Sequence, residues 1–73
     1  MHNIKAVAGL EASRAMNVDY RFEPVRSERG LEYICYAGHL GKELQSDVHH
    51  SKRKAKEDVC GKILHEWEEF QPE

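Results

Sequence analysis

Apolar residues near the end of the chain follow the period of an α-helix. The members of this pattern, spaced four or three residues apart with charged residues between them, are Ala55, Val59, Ile63, Trp67 and Phe70. Ser51 precedes the pattern and can act as an N-cap, because its hydroxyl can accept a hydrogen bond from a free backbone N–H of the first turn. The pattern predicts an amphipathic helix from about residue 51 to about residue 70.

The beginning of the chain carries a second helical pattern. Ile4, Val7 and Leu10 recur at three-residue spacing among alanines and other good helix formers. Gly9 lowers the helix propensity of this segment. We expect a helix from about residue 3 to about residue 16.

Between the two predicted helices, the residue types change to those that favour β-strands. The predicted strands cover about residues 18–25, 31–37 and 40–46. In the first strand, Tyr20 and Phe22 lie two residues apart, as one face of a strand requires. Pro24 confines this strand to a sheet edge or ends it.

Short connections join the predicted strands. Ser27-Glu28-Arg29-Gly30 is a polar loop that ends in glycine, and Ala37-Gly38-His39 has the small, turn-permissive residues of a tight connection. Leu40 and Leu44 are then expected to share a face of the third strand. Short connections favour an antiparallel meander with both helices packed on one face. The sequence therefore predicts a single α+β domain over residues 1–73, with the order α-β-β-β-α and a three-stranded antiparallel sheet.

The size of the chain, 73 residues, disfavours an enzyme. A domain of this length has a thin core and little room for a deep cleft. The sequence also lacks a nucleophile–histidine–carboxylate pattern, a glycine-rich phosphate loop and a distinctive carboxylate pair. We expect a non-catalytic domain without a cofactor. No apolar run approaches the roughly 20 residues of a membrane helix, and residues 1–10 lack the apolar core of a secretory signal, so we expect no membrane contact.

The charges of the last predicted helix run against its dipole. Four basic residues lie within five positions at its start: Lys52, Arg53, Lys54 and Lys56. The helix dipole favours acidic groups at this end, by about 0.3–1 kcal/mol each. A helix start with free N–H groups, a hydroxyl and several cations instead suits a phosphate ligand. The alternative is a solvated basic turn that Glu57 and Asp58 partly offset.

The same segment resembles a known motif. Residues 51–64 read Ser-Lys-Arg-Lys-Ala-Lys-Glu-Asp-Val-Cys-Gly-Lys-Ile-Leu. This run is similar, without a gap, to the C-terminal motif of the double-stranded RNA-binding domain, Ser-Lys-Lys-x-Ala-Lys-x-x-Ala-Ala-x-x-Ala-Leu. The α-β-β-β-α order of that family matches the order predicted above, and the resemblance extends from Ile4 to Phe70. It implies recognition of duplex RNA by shape, with the last helix on phosphates across the major groove and the first helix and a strand loop on the flanking minor grooves.

The resemblance assigns RNA contacts to individual residues. Phosphate contacts fall on Lys52, Arg53 and Lys56, which share the motif with Ser51, whereas Lys54 is expected to point elsewhere on the turn. In the first helix, Glu11 resembles the glutamate that family members present to a ribose hydroxyl. The alternative for Glu11 is a solvated helix residue.

The sequence departs from the family at the first inter-strand loop. That loop normally carries Gly-Pro-x-His, but Ser27-Glu28-Arg29-Gly30 has neither the proline nor the histidine. Arg29 can still contact a phosphate or a ribose, whereas Glu28 would be repelled. The glycine-rich approach to the basic motif is also replaced, by residues 47–50. These departures support an alternative function, in which a degenerate member binds a protein partner or a second copy and has little RNA affinity.

The cysteines and histidines allow further interpretations. Cys35 and Cys60 lie in apolar surroundings without paired spacing, which indicates free thiols and an intracellular protein, nuclear or cytoplasmic. We expect Cys60 in the core and no metal site, since free cysteine is among the most buried residue types. His49 and His50 either form a solvated pair or add positive charge to the basic cluster below about pH 6.5.

The aromatic residues also have two interpretations each. Those of the strands could stack on unpaired bases, but we expect them in the core, because the element order of base-stacking RNA-recognition sheets is absent. Trp67 and Phe70 either close the core or form an exposed patch for a partner. We favour packing for both.

Overall fold

The five elements follow the predicted order. The computed structural model of the protein describes residues 2–70, without the side chain of Phe70. Along the chain it contains α1 (His2–Ala12), β1 (Asp19–Ser27), β2 (Gly30–His39), β3 (Lys42–Gln45) and α2 (Lys52–Phe70). The α+β class and the α-β-β-β-α architecture are confirmed.

The three strands form one antiparallel sheet in the order β1-β2-β3. Pro24 lies in β1, which pairs with β2 alone and is therefore an edge strand, as the proline predicted. Ser27 pairs with Gly30, so the first turn consists of Glu28 and Arg29. Gly30 has a φ of 102°, which favours glycine at this position.

The turn between β2 and β3 lies further along the chain than predicted. Ala37 and His39 belong to β2 and are buried, and the turn consists of Leu40 and Gly41. Their φ angles, 52° and 73°, match a type I′ hairpin turn. The prediction that Leu40 shares a strand face with Leu44 is therefore wrong. Small residues indicated a turn at Ala37, but here the small side chain fits the core.

The first helix ends four residues earlier than predicted. Arg14 has a φ of 64°, and its N–H donates to the carbonyl of Glu11 at 3.0 Å. The N–H of Ala15 donates to the carbonyl of Leu10 at 2.8 Å, which completes a Schellman cap. The chain then leaves the helix, and Met16 enters the core from the following connection.

A β-bulge brings the chain from β3 to the start of α2. Gln45 pairs with Tyr36 and His49 bridges to Tyr33, so three residues lie opposite two residues of β2. Within the bulge, the Ser46 hydroxyl accepts the N–H of Cys35 at 2.8 Å. The bulge therefore provides a hydrogen-bond acceptor for the backbone N–H of Cys35 while the chain turns toward α2.

Both helices contribute to one core on a single face of the sheet. Val7 of α1 is buried with Val59 and Ile63 of α2 and with Cys35 of β2. Trp67 is half-buried against this core, which confirms packing for Trp67, whereas the side chain of Phe70 lies outside the described residues. Both cysteines are buried free thiols. Within residues 2–70, no helix is long and apolar enough to cross a bilayer.

Candidate nucleic-acid interface

The start of α2 is capped as predicted. The N–H of Lys54 donates to the Ser51 hydroxyl at 3.1 Å, and the N–H of Ala55 donates to the Ser51 carbonyl at 3.1 Å. Lys52, Arg53 and Lys54 are exposed, and the first turn contains no acidic residue. The site therefore combines backbone N–H groups, a hydroxyl and cations at one helix end, the chemistry that binds phosphate oxygens.

Two of these lysines lie over aromatic rings of the sheet. The Lys52 ammonium is 5.7 Å from the ring centroid of Phe22 and 5.6 Å from that of Tyr33. The Lys56 ammonium is 4.3 Å from the ring centroid of Tyr20. Each such contact contributes about 0.5–1 kcal/mol at exposed sites. The contacts position both ammonium groups along β1.

Lys54 lies on another side of α2. It lines an open groove together with His49, Asp58 and Lys62. Because residues four apart share a helix face and residues two apart do not, Lys54 points away from Lys52 and Lys56. Lys52 and Lys56 therefore lie on the β1 side of α2, Lys54 lies in this groove, and Arg53 is exposed without a contact to either.

The acidic residues next to the cluster are engaged elsewhere. The backbone N–H groups of Asn3 and Ile4 donate to the Glu57 carboxylate at 2.9 and 3.1 Å. Asp58 accepts hydrogen bonds from the His49 ring and the Asp47 N–H, both at 2.8 Å. None of the ion pairs among the described residues includes a basic residue of the cluster, whose members are Lys52, Arg53, Lys54 and Lys56. Glu57 and Asp58 therefore do not offset the basic turn by ion pairing.

These hydrogen bonds also keep both carboxylates ionised. Desolvation by burial opposes ionisation, but the N–H groups of Asn3 and Ile4 hold the pKa of Glu57 below its ordinary value. The same balance, with the His49 ring and the Asp47 N–H as donors, holds the pKa of Asp58 below its ordinary value. Glu57 thus supplies a negative charge to the start of α1, where the helix dipole favours one.

Glu11 lies on the Lys56 side of the molecule, close to Tyr20 and Cys60. The Tyr20 hydroxyl and the Cys60 sulfur are 3.3 Å apart. Burial raises the pKa of both groups, and the charge of Glu11 contributes to each increase. Glu11 itself is half-buried. The sequence-predicted ribose contact therefore lies near the basic start of α2.

Burial also decides the chemistry of the two thiols. It raises the pKa of Cys35 to about 11. The pKa of Cys60 is raised as well, chiefly by burial. Both thiols are therefore protonated at neutral pH, which makes them core residues and not nucleophiles.

Arg29 lies at the opposite end of β1. It is exposed in the first turn, and its N–H donates to the Ser27 hydroxyl at 3.1 Å. Tyr20, beneath Lys56, and Ser27 are seven positions apart, which corresponds to about 23 Å along a strand. The predicted residues thus form a line in which Glu11 and Lys56 lie at one end, Lys52 follows, and Arg29 lies at the other end.

The sequence did not indicate the contacts between lysines and rings. It assigned the strand aromatics to the core. Tyr20, Phe22 and Tyr33 do pack against the core, and their accessible parts carry the ammonium groups. The core prediction is wrong for Tyr36, which pairs with Arg21 on the other face of the sheet. The alternation of Tyr20 and Phe22 predicted only that they share one face of β1. Their position beneath α2 depends on the tertiary fold.

The two histidines before α2 each face a carboxylate. His49 contacts Asp58, and the Nδ1 of His50 is 3.5 Å from the Glu32 carboxylate. His49 is half-buried against α2, whereas the His50 side chain is 63% exposed, so the predicted solvated state holds for His50 and is wrong for His49. Among residues 2–70, no three histidine, cysteine or acidic side chains are grouped closely enough to hold a metal ion.

Comparison with known proteins adds no family assignment. No family model, curated protein or solved structure matches the chain.

Proposed function

We propose that this protein is a non-catalytic module that binds double-stranded RNA through the basic start of α2. The observation that carries the proposal is a capped helix start with four basic side chains, none of which is in an ion pair with a described residue. Unpaired cations and helix N–H groups are the groups that phosphates bind. The resemblance of residues 51–64 to the double-stranded RNA-binding motif supports RNA as the source of those phosphates.

The line of residues along β1 supports a duplex as the form of the ligand. In the proposed complex, Lys52, Arg53 and Lys56 contact phosphates across the major groove. Glu11 and Arg29 face the two flanking minor grooves. Glu28 lies beside Arg29 in the turn and repels phosphates, so we expect α2 to supply most of the affinity.

We also propose an intracellular location, in the nucleus or the cytoplasm, because buried free thiols suit a reducing compartment. The second candidate function is protein binding with little RNA affinity. The acidic residue at the hairpin turn and the net charge of −2 favour it.

The test is fluorescence anisotropy of the chain with a labelled RNA duplex of about 20 bp and a matched DNA duplex, over a salt series. We expect RNA to bind more tightly than DNA. The triple variant Lys52→Ala, Arg53→Ala and Lys56→Ala should weaken binding and reduce the slope of log K against log salt by about 2 to 3, because three phosphate contacts are lost.

The matched control removes three cations that are in ion pairs. Arg21, Lys42 and Lys62 pair with Glu43, Glu66 and Asp47 respectively. Their joint replacement by alanine gives the same change in net charge and should leave the salt slope within about 1 of the wild-type value. Absence of RNA binding by the folded chain at low salt, or an equal loss in both triple variants, would refute the proposal.

A further inference from the structure

The sheet has a second face that no described helix or strand covers. Side chains alternate along each strand, so every second residue points away from the helices. We call this surface the open face; it carries Asp19, Arg21, Glu23, Val25, Glu32, Ile34, Tyr36, Glu43 and Gln45.

The centre of the open face is apolar. Ile34 and Tyr36 lie on the middle strand and are half-buried. Val25 pairs with Glu32 in the register and is therefore the diagonal neighbour of Ile34. Val48, 44% exposed, precedes the bridge residue His49 and extends the apolar surface beyond β3.

Carboxylates surround this apolar centre. Four acidic residues point to the open face, against one described lysine or arginine, Arg21. Arg21 stacks on Tyr36, with its guanidinium carbon 4.0 Å from the ring centroid, and pairs with Glu43 at 3.4 Å. Three net negative charges therefore remain on this surface.

Glu32 is the most enclosed of these carboxylates. Its side chain is 11% exposed, and the Ser27 hydroxyl donates to it at 2.8 Å. The second oxygen is 3.5 Å from the His50 ring. These two contacts fix the position of the Glu32 carboxylate at the edge of the apolar centre.

We propose that the open face binds a basic amphipathic helix of a partner protein. Its apolar stripe would cover Ile34 and Tyr36, and lysines or arginines on both flanks would pair with Glu23, Glu32 and Glu43. A helix is a suitable occupant because an amphipathic helix and a half-apolar sheet face bury each other as adjacent layers. Charge complementarity selects a basic helix.

The same charges disfavour a second copy packed face to face. In such a dimer, the three net negative charges of one open face would lie against the three of the other. Like-charge repulsion opposes this arrangement. The proposed surface lies on the side of the sheet opposite to α2. A partner helix and an RNA duplex can therefore occupy the molecule together, and this inference does not rest on the proposed RNA binding.

The probe is a fluorescein-labelled peptide of about 18 residues, built from leucine, alanine and lysine so that a leucine stripe is flanked by lysines on both sides of a helix. A second peptide has glutamate in place of each lysine. Anisotropy with the full chain should show saturable binding of the lysine peptide and none of the glutamate peptide.

Matched charge reversals locate the binding surface. Glu23→Lys with Glu43→Lys should weaken binding of the lysine peptide by about ten-fold or more, the equivalent of roughly 1.4 kcal/mol. Glu68→Lys with Glu69→Lys makes the same change in net charge at exposed positions of α2 and should change the affinity by less than about two-fold. Ile34→Thr keeps a β-branched residue in β2 and should weaken binding several-fold, with circular dichroism verifying the fold of each variant.

Three results would overturn the proposal. The first is no saturable binding of the lysine peptide, and the second is an equal loss in both charge-reversed variants. The third is self-association of the free chain that Glu23→Lys with Glu43→Lys abolishes, which would assign the open face to a second copy. A chain that binds the peptide but no RNA would retain this inference and refute the proposed function.

Discussion

His39 is a buried polar residue whose ring has no hydrogen-bond partner within the described part of the chain. His39 is 3% exposed, and neither its Nδ1 nor its Nε2 forms a hydrogen bond with a described residue. A buried polar group left in this state reduces stability by about 1–3 kcal/mol relative to a satisfied one. His39 therefore weakens the end of the core where β2 leads into the second turn.

Replacing this ring with an apolar side chain should stabilise the protein. We expect His39→Leu to raise the free energy of unfolding by about 1 kcal/mol, because the unsatisfied nitrogens are removed. Urea denaturation measures the change. The control is His65→Leu at a side chain that is 75% exposed, where we expect a change within about 0.5 kcal/mol. A loss of stability in His39→Leu alone would contradict this account of the ring.

At the level of single elements, the turn between β2 and β3 has an unfavourable residue. Leu40 has a φ of 52° and is 57% exposed, so it has the strain of a left-handed conformation and little compensating burial. Asn-Gly is the preferred pair for a type I′ turn. Leu40→Asn should therefore raise the free energy of unfolding by up to about 1 kcal/mol.

Leu40→Val is the control, for which we expect a change in the free energy of unfolding of the opposite sign. A β-branched residue fits a positive φ poorly, so we expect this variant to be less stable than the wild type. Urea denaturation of both variants provides the comparison. The same direction of change in both would show that the backbone angle does not control stability at this turn.

The elements could be predicted where their signals are local. The periodicity of Val59 and Ile63 predicted α2, and the hydroxyl of Ser51 predicted its cap. The boundaries were wrong where a left-handed residue lacked its usual glycine or asparagine, as at Arg14 and Leu40. The basic cluster was visible in the sequence because its members are neighbours in the chain. The rings beneath the lysines were not, because only the packing of α2 on the sheet brings them together.

At the scale of the whole molecule, Glu57 links the two helices. Its carboxylate accepts N–H groups at the start of α1, although it belongs to the second turn of α2. Because its pKa in the folded protein is below the ordinary value of 4.5, the ionised carboxylate stabilises the fold above about that pH. This contribution is lost as the pH falls through the lower, folded-state pKa.

The hydrogen bonds between Glu57 and the start of α1 predict that replacing Glu57 has an effect on stability that depends on pH. Glu57→Gln should lower the free energy of unfolding by about 1 kcal/mol at pH 7, as the loss of a helix cap does. The difference from the wild type should shrink as the pH falls below 4.5. Urea denaturation between pH 7 and about pH 3 tests this, with Glu68→Gln at an exposed position as the control. A difference that does not depend on pH would contradict the role of the ionised carboxylate.

The molecule is longer than its chain length requires. Its radius of gyration is 12.8 Å, against about 11 Å expected for a compact chain of this size. In the proposed complex, the length of the paired strands β1 and β2 determines the distance between Arg29 and the lysines at the start of α2. Two more residues in each strand would keep every side chain on its present face and move the tip outward by about 7 Å. The length of the hairpin can therefore be changed without altering the proposed phosphate contacts of α2. It would determine which position along a helical ligand the turn with Arg29 contacts.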